Sequence, residues 1–321
     1  QLGATTTAGG DNSGHDKCNA AAVDGSGNVY CAGTTDGDLG EVNGGTNDAF
    51  VMKLNSSGGI EWLTQLGATT TAPGGDNLGN EYCIGVAVDG SGNVYCAGST
   101  GGDLGEVNGG DSDAFVMKLN SSGAIEWLTQ LGATTTAPGG DNSGSDICNG
   151  VAVDGSGNVY CAGTTVGGLS EGNGGSADAF VMKLNSSGAI EWLTQLGATT
   201  EAAGGGDNSG FDVGYGVEAD GSGNVYCSGN TNGDLGEVNG GWSDAFVMKL
   251  NSSGAIEWLT QLGATTTAPG GDNLGDDYCS DVAVDGSGNV YCAGYTDGGL
   301  GEGNGGNFDA FVMKLNSDGT F

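Results

Sequence analysis

The segment DAFVMKLNSSGAIEWLTQLGATT returns almost unchanged along the chain, so whatever forms must be assembled from five near-copies of one unit. Its tryptophans stand at Trp62, Trp127, Trp192 and Trp258, and the copies fall at about residues 1–64, 65–129, 130–194, 195–260 and 261–321. A length of 321 residues would ordinarily suggest two domains. A fixed internal period overrides that division, because each unit buries its apolar surface only against its neighbours. The expectation is therefore one domain over 1–321.

Each unit offers four short runs rich in β-branched and aromatic residues, bounded by Gly, Asn and Asp. In the third copy they are 148–153, 158–163, 178–184 and 189–196. DGSGN separates the first two and NSSG the last two, both with the glycines that tight hairpin turns require. No segment carries a sustained helical period with caps. Four antiparallel strands in each of five repeats point to an all-β, five-bladed β-propeller. The fifth copy stops at Phe321, and Gln1-Leu2-Gly3 is the piece that would follow it. The N-terminal strand is thus expected to complete the last blade and close the ring, which removes exposed sheet edges. A section of a longer array is the alternative.

The units read VAVDGSGNVY, then a small-residue strand, then DAFVMKLNSSG and a Trp-containing strand ending in LG. In this they resemble the bacterial-type beta-propeller repeat known as SBBP, over all five copies. The resemblance implies the propeller fold and a surface or secreted protein. It implies no activity, since that family has no general catalytic residue set to carry over. The paired cysteines and long acidic loops depart from its usual pattern.

The charge balance is extreme, with 40 Asp and Glu against 6 Lys and a net charge of −34. Such a surface repels phosphate backbones and anionic lipid, which sets aside nucleic-acid and membrane-surface roles. It favours cations, cationic partners or a salty medium. No stretch reaches the length of an apolar transmembrane helix. The chain begins at Gln1 without a leader segment and reads as a processed or trimmed form.

Eight of the nine cysteines fall in pairs thirteen residues apart: Cys18 and Cys31, Cys83 and Cys96, Cys148 and Cys161, Cys279 and Cys292. Zinc-type spacing is absent, so disulfides in an oxidising compartment are expected, and with them secretion. Small buried thiols are the alternative. Pairing within a blade or between blades is left open by the spacing. Cys227 lacks a mate because Gly214 holds the matching position, so at least one thiol stays free or bonds another chain.

Most of the acids fall in the two long connections of each copy. The residue after Gly14 varies among copies (His15, Asn80, Ser145, Phe211, Asp276), yet the next is always acidic: Asp16, Glu81, Asp146, Asp212 and Asp277. Calcium takes six to eight oxygens from flexible glycine-rich loops, so it is the expected cofactor. The candidate ligands are Asp11, Asp16, Glu41, Asn43 and Asp48 in the first copy, and Asp76, Glu81, Glu106, Asn108 and Asp113 in the second. In the third they are Asp141, Asp146, Glu171, Asn173 and Asp178; in the fourth, Asp207, Asp212, Glu237, Asn239 and Asp244. The fifth offers Asp272, Asp277, Glu302, Asn304 and Asp309. The competing reading has these residues capping turns, with the remaining charge solvated.

Lys53, Lys118, Lys183, Lys249 and Lys314, one per copy, read as salt-bridged packing residues, and the Trp series as outer-strand packing or a sugar-stacking platform. Asn55, Asn120, Asn185 and Asn251 each open an N-x-S sequon, a glycosylation acceptor in a suitable secretory pathway.

An enzyme is the least supported class: His15 is the single, unrepeated histidine, there is no arginine, and no Ser or Cys nucleophile has a plausible histidine base. No catalytic residue is named. The favoured reading is a non-enzymatic extracellular structural module of a cell surface or filament, joined by self-association or to other surface proteins. A lectin or adhesin holding glycans at repeated sites between blades is the alternative.

Overall fold

The computed structural model describes residues 14–67, 79–132, 143–170, 172–196, 210–262, 275–300 and 303–321. All of its regular structure among those residues is β, in five antiparallel sheets, one per copy. The first sheet holds β1 (Asp16–Val23), β2 (Val29–Thr35), β3 (Asp48–Leu54) and β4 (Ile60–Gln65) in sequence order. The second repeats this with β5 (Glu81–Val88), β6 (Val94–Thr100), β7 (Asp113–Leu119) and β8 (Ile125–Gln130). The third has β9 (Asp146–Val153), β10 (Val159–Thr165), β11 (Asp178–Leu184) and β12 (Ile190–Gln195). The fourth has β13 (Asp212–Ala219), β14 (Val225–Thr231), β15 (Asp244–Leu250) and β16 (Ile256–Gln261). The fifth has three strands among the described residues, β17 (Asp277–Val284), β18 (Val290–Thr296) and β19 (Asp309–Leu315). Gln1-Leu2-Gly3, expected to complete it, lies outside the described residues.

The hairpins are set by side chains that cap their own turns. In DGSGN, Asp24 Oδ1 accepts the backbone N–H of Ser26 and of Asn28, each at 2.9 Å, while Oδ2 accepts Tyr30 Oη at 3.0 Å. Gly27 takes φ 79°, a left-handed conformation that side chains resist. In NSSG, Asn55 Oδ1 accepts Ser57 N at 3.0 Å and Gly59 N at 2.9 Å, and Asn120, Asn185 and Asn251 do the same in their copies. The sequon asparagines are therefore turn residues. Both short turns lie at one end of each sheet and the long acidic connections at the other.

The disulfides are Cys18–Cys31, Cys83–Cys96, Cys148–Cys161 and Cys279–Cys292, with Cα atoms 5.8 Å apart in each. Each joins the first two strands of its own sheet, so the open question of pairing is answered within the copy. Cys227 is free and buried, and burial pushes its thiol up to about 12. Lys53, Lys118, Lys183 and Lys249 pair with Glu61, Glu126, Glu191 and Glu257 at 2.8–2.9 Å, as expected of packing lysines.

The chain divides into two compact units: Gln1–Thr136 with Asp141–Cys161 and Leu184–Ala189, and Ala137–Gly140 with Ala162–Lys183 and Ile190–Phe321. In the first, the core lies between consecutive sheets. Ala32, Ala49 and Val51 of the first sheet meet Cys83, Val94 and Met117 of the second, while Phe50 and Met52 point to the opposite face with Cys31 and Leu39. In the second unit Ala245 and Val247 of the fourth sheet meet Cys279, Val282 and Met313 of the fifth in the same way. Strand alternation thus gives every sheet two apolar faces.

Gly214 stands opposite Gly229 as Cys279 stands opposite Gly294, and a Cβ built on Gly214 falls 3.4 Å from Cys227 Sγ. Gly214→Cys should therefore form a fifth disulfide. Thiol titration in denaturant should read no free thiol in place of the wild type's Cys227, with a stability gain of about 2–4 kcal/mol. Two reactive thiols in the folded variant would refute the equivalence of the five copies.

Candidate functional site: acidic connections and repeat junctions

The second long connection of each of the first four copies is built around a buried glutamine. Gln65 Oε1 accepts Leu39 N at 2.7 Å and Gly40 N at 2.9 Å, while its Nε2 donates to Gly37 O at 3.1 Å and Asp48 Oδ2 at 2.8 Å. Asp48 also accepts Gly44 N at 3.1 Å. Gln130 with Asp113, Gln195 with Asp178 and Gln261 with Asp244 repeat this bond at 2.8–2.9 Å. Burial raises the carboxyls of Asp48 and Asp113 above the ordinary range and brings Asp244 to about 6.

The asparagines expected as ligands hold the same loops. Asn43, Asn108 and Asn239 donate through Nδ2 to the carbonyls of Thr35, Thr100 and Thr231 at 3.3 Å; Asn173 reaches Val166 O at 3.0 Å and Asn304 reaches Asp297 O. Glu41, Glu106 and Glu237 begin the returning arm, where Glu41 and Glu106 lie against Gly67 and Gly132. Asp309 accepts Gly305 N at 2.8 Å. Asp11, Asp76, Asp141, Glu171, Asp207, Asp272 and Glu302 lie outside the described residues. Among the described residues no group of three or more His, Cys, Asp or Glu is gathered for a metal.

The first-strand acids go elsewhere than the sequence suggested. In the second to fifth copies their backbone bonds the copy before, while the side chains of Glu81 and Asp212 take a threonine of their own copy. Glu81 N donates to Asn47 O at 2.9 Å, Asp146 N to Ser112 O at 2.8 Å, Asp212 N to Ala177 O at 2.8 Å and Asp277 N to Ser243 O at 2.7 Å. Glu81, Asp212 and Asp277 thereby come beside Asp48, Asp178 and Asp244, the third-strand aspartates of the preceding sheets, and all six are 0 % exposed. Thr100 Oγ1 donates to Glu81 Oε1 at 3.1 Å, and Thr231 Oγ1 to Asp212 Oδ1 at 2.5 Å. Burial, reinforced by the neighbouring charges of Asp48, Asp178 and Asp244, raises Glu81 to about 8 and Asp212 and Asp277 to about 7. In the first copy Asp16 is only half-buried and accepts Thr35 Oγ1 at 2.8 Å.

Two further junction contacts escaped the sequence reading. The variable residue before the acid ties loops together in two copies: Asn80 Oδ1 accepts Thr46 N at 3.0 Å, and Asp276 Oδ1 accepts Trp242 N at 2.9 Å. At the other end of the sheets, each Trp grips the NSSG turn of the following copy. Trp62 Nε1 donates to Ser121 O at 3.0 Å and Thr64 Oγ1 to Gly123 O at 2.6 Å. Gly123 has φ 85°, and a Cβ there would lie 2.7 Å from Trp62 Cδ2, so both backbone and ring demand glycine. Trp127, Trp192 and Trp258 seat on Gly188, Gly254 and Gly319 in the same manner. Their indoles pack on these turns, as the outer-strand packing reading of the Trp series expects.

The beta-propeller repeat family, SBBP, matches residues 1–41, 61–105, 126–169 and 257–302, more than half of the chain. The chain belongs to this family. No curated protein matches it. Among solved structures, this beta-propeller repeat chain is similar to a xylan beta-1,4-xylosidase from Bacillus halodurans C-125 at 9% identity and TM-score 0.36, covering 98% of this chain and 55% of that one. It is similar to NanB sialidase from Streptococcus pneumoniae at 13% identity and TM-score 0.41, covering 78% and 32%. An ulvan lyase of a new polysaccharide lyase family matches at 11% identity and TM-score 0.39, covering 95% and 71%. The chain thus spans about half the length of the xylosidase and a third of the sialidase. These neighbours overturn the exclusion of enzymes drawn from the sequence, because they are themselves glycosidase, sialidase and lyase structures. The exclusion rested on missing motifs and is withdrawn; at such identity the likeness concerns fold alone and names no activity for this chain.

The raised carboxyls fix the sign of a pH effect. Glu81, Asp212 and Asp277 bind protons more tightly folded than unfolded, so their contribution is fully present below the unfolded values near 4 and is lost as pH rises through 7–8. In chelator, the thermal midpoint should be lower at pH 8.5 than at pH 5.5, and Glu81→Gln should shrink the difference. An unchanged pH slope in the folded variant would refute the assignment.

Proposed function

We propose that this is an extracellular structural module whose chains join head to tail. The observation that supports the proposal is exposed apolar surface on the first strand of the first sheet and on one face of the fifth, each taken by itself. Val51, Val116, Val181 and Val247 are 0% exposed on their sheets, whereas Val312 at the same position of the fifth is 76% exposed. Within the units, β5 covers the first sheet, β9 the second and β17 the fourth. The fifth sheet presents the face such a strand would cover, and β1 presents the strand: Cys18 and Ala21 are exposed and Val23 is 62% exposed, while Cys83 is buried and Val86 and Val88 half-buried.

The fifth face also differs in composition. Tyr295 and Phe308 meet edge to face there, with ring centroids 5.5 Å apart, where the first copy has Thr34 and Asn47 and the fourth Asn230 and Ser243. Aromatic enrichment of a face otherwise kept small and polar is what a protein–protein interface requires. A heterologous contact of this kind propagates as a filament unless its rotation closes. The four disulfides are compatible with an oxidising, extracellular setting, and screening of the −34 net charge by salt or cations would favour joining. The competing occupants of the fifth face are the same chain's β1, as in a closed five-bladed propeller, and a further repeat of a longer array.

Light scattering behind size exclusion, from low to high protein concentration in salt, tests the proposal. The wild type should grow in mass with concentration, and Val312→Asp should stay a monomer with its four disulfides intact. A wild type that is monomeric at every concentration would overturn it in favour of closure.

A further inference from the structure

At three junctions a fully buried carboxyl keeps an oxygen without a hydrogen-bond partner: Glu81 Oε2, Asp212 Oδ2 and both oxygens of Asp277. Each lies beside a second buried carboxyl across the junction, that of Asp48, Asp178 or Asp244. Buried carboxylates need a counter-charge, and unpaired oxygens away from water are costly. The protein supplies no cation to these places. It has no arginine, and Lys53, Lys118, Lys183 and Lys249 are held by glutamates. Of the remaining two lysines, Lys17 is exposed and Lys314 lies over the Tyr291 ring at 5.8 Å.

We propose that these junctions each hold a divalent cation, calcium, between the acid opening the first strand of one repeat and the aspartate opening the third strand of the repeat before it. The donors are hard carboxylate oxygens in a place that glycine-rich loops can adjust around, which suits calcium. The site joins two repeats instead of lying within the loops of one. Its bridging position makes the cation a fastener between consecutive sheets, at the end opposite the Trp clamp. Asp16 and Asp309, both half-buried, are the two halves of the same arrangement at the unmatched faces. A further site completed by joining of chains rests on the assembly reading; the internal sites do not.

Native mass spectrometry of the disulfide-intact chain, titrated with calcium chloride after chelation, tests this directly. Glu81→Gln and Asp212→Asn should each bind one calcium fewer than the wild type, while Glu81→Asp and the exposed loop variant Asp111→Asn should bind the wild-type number. Circular dichroism and a full disulfide count establish that each variant is folded. Equal calcium counts in wild type and a folded Glu81→Gln or Asp212→Asn chain would overturn the proposal, as would a wild type that takes up no calcium at millimolar concentration. If the internal count behaves as expected but assembled chains carry no additional cation, the failure falls on the assembly reading alone.

Discussion

Every sheet in this protein has two apolar faces, and the one that bears Ala49 and Val51 in the first copy is covered by the next repeat. Phe50 and Met52 project from one side of β3 onto Cys31 and Leu39 of the same copy, while Ala49 and Val51 on the other side pack against the second sheet, so each sheet leans on the one that follows. Everything else follows from that dependence. The Trp62–Gly123 clamp and the Glu81–Asn47 backbone bond fasten opposite ends of the same junction, while the disulfides stay inside individual sheets. Cohesion between repeats therefore rests on packing, two polar fasteners and the treatment of buried acid.

The acids divide into two physical classes. Those in the turns are solvated or capped: Asp24 and Asp285, hydrogen-bonded first by the side chains of Asn28 and Asn289, fall to about 2 and carry charge at any ordinary pH. Those at the junctions are desolvated and pushed the other way. The first class gives the chain its solubility and mutual repulsion. The second makes the repeat contacts sensitive to protons and cations, which connects the composition of the chain to the mechanics of its assembly.

Much of the fold was legible because period and turn chemistry are local. The run DAFVMKL appears as β11 over the same 178–184 that alternation and flanking turns marked out, and the thirteen-residue cysteine spacing became a bond between adjacent strands. The candidate site was less legible because its partners lie in different copies. Nothing around Glu81 in sequence reveals that its neighbour is Asp48, and Gln65 looks like any polar strand residue until its amide is found holding a loop more than twenty residues away. Gly123 reads as a turn residue, although its second duty is to seat Trp62. Tyr295 and Phe308 look like drift among near-copies until their common face is seen uncovered. The exclusion of enzymes failed for a different reason: absence of a familiar motif is not a physical property of a site.

The dependence of each sheet on a following repeat is tested most directly by hydrogen exchange of the dilute, disulfide-intact chain. The amides of β19 should exchange much faster than those of β3, β7, β11 and β15, whose sequence DAFVMKL is identical, and should gain protection as the protein is concentrated. Equal, concentration-independent protection of all five strands would contradict an open fifth face.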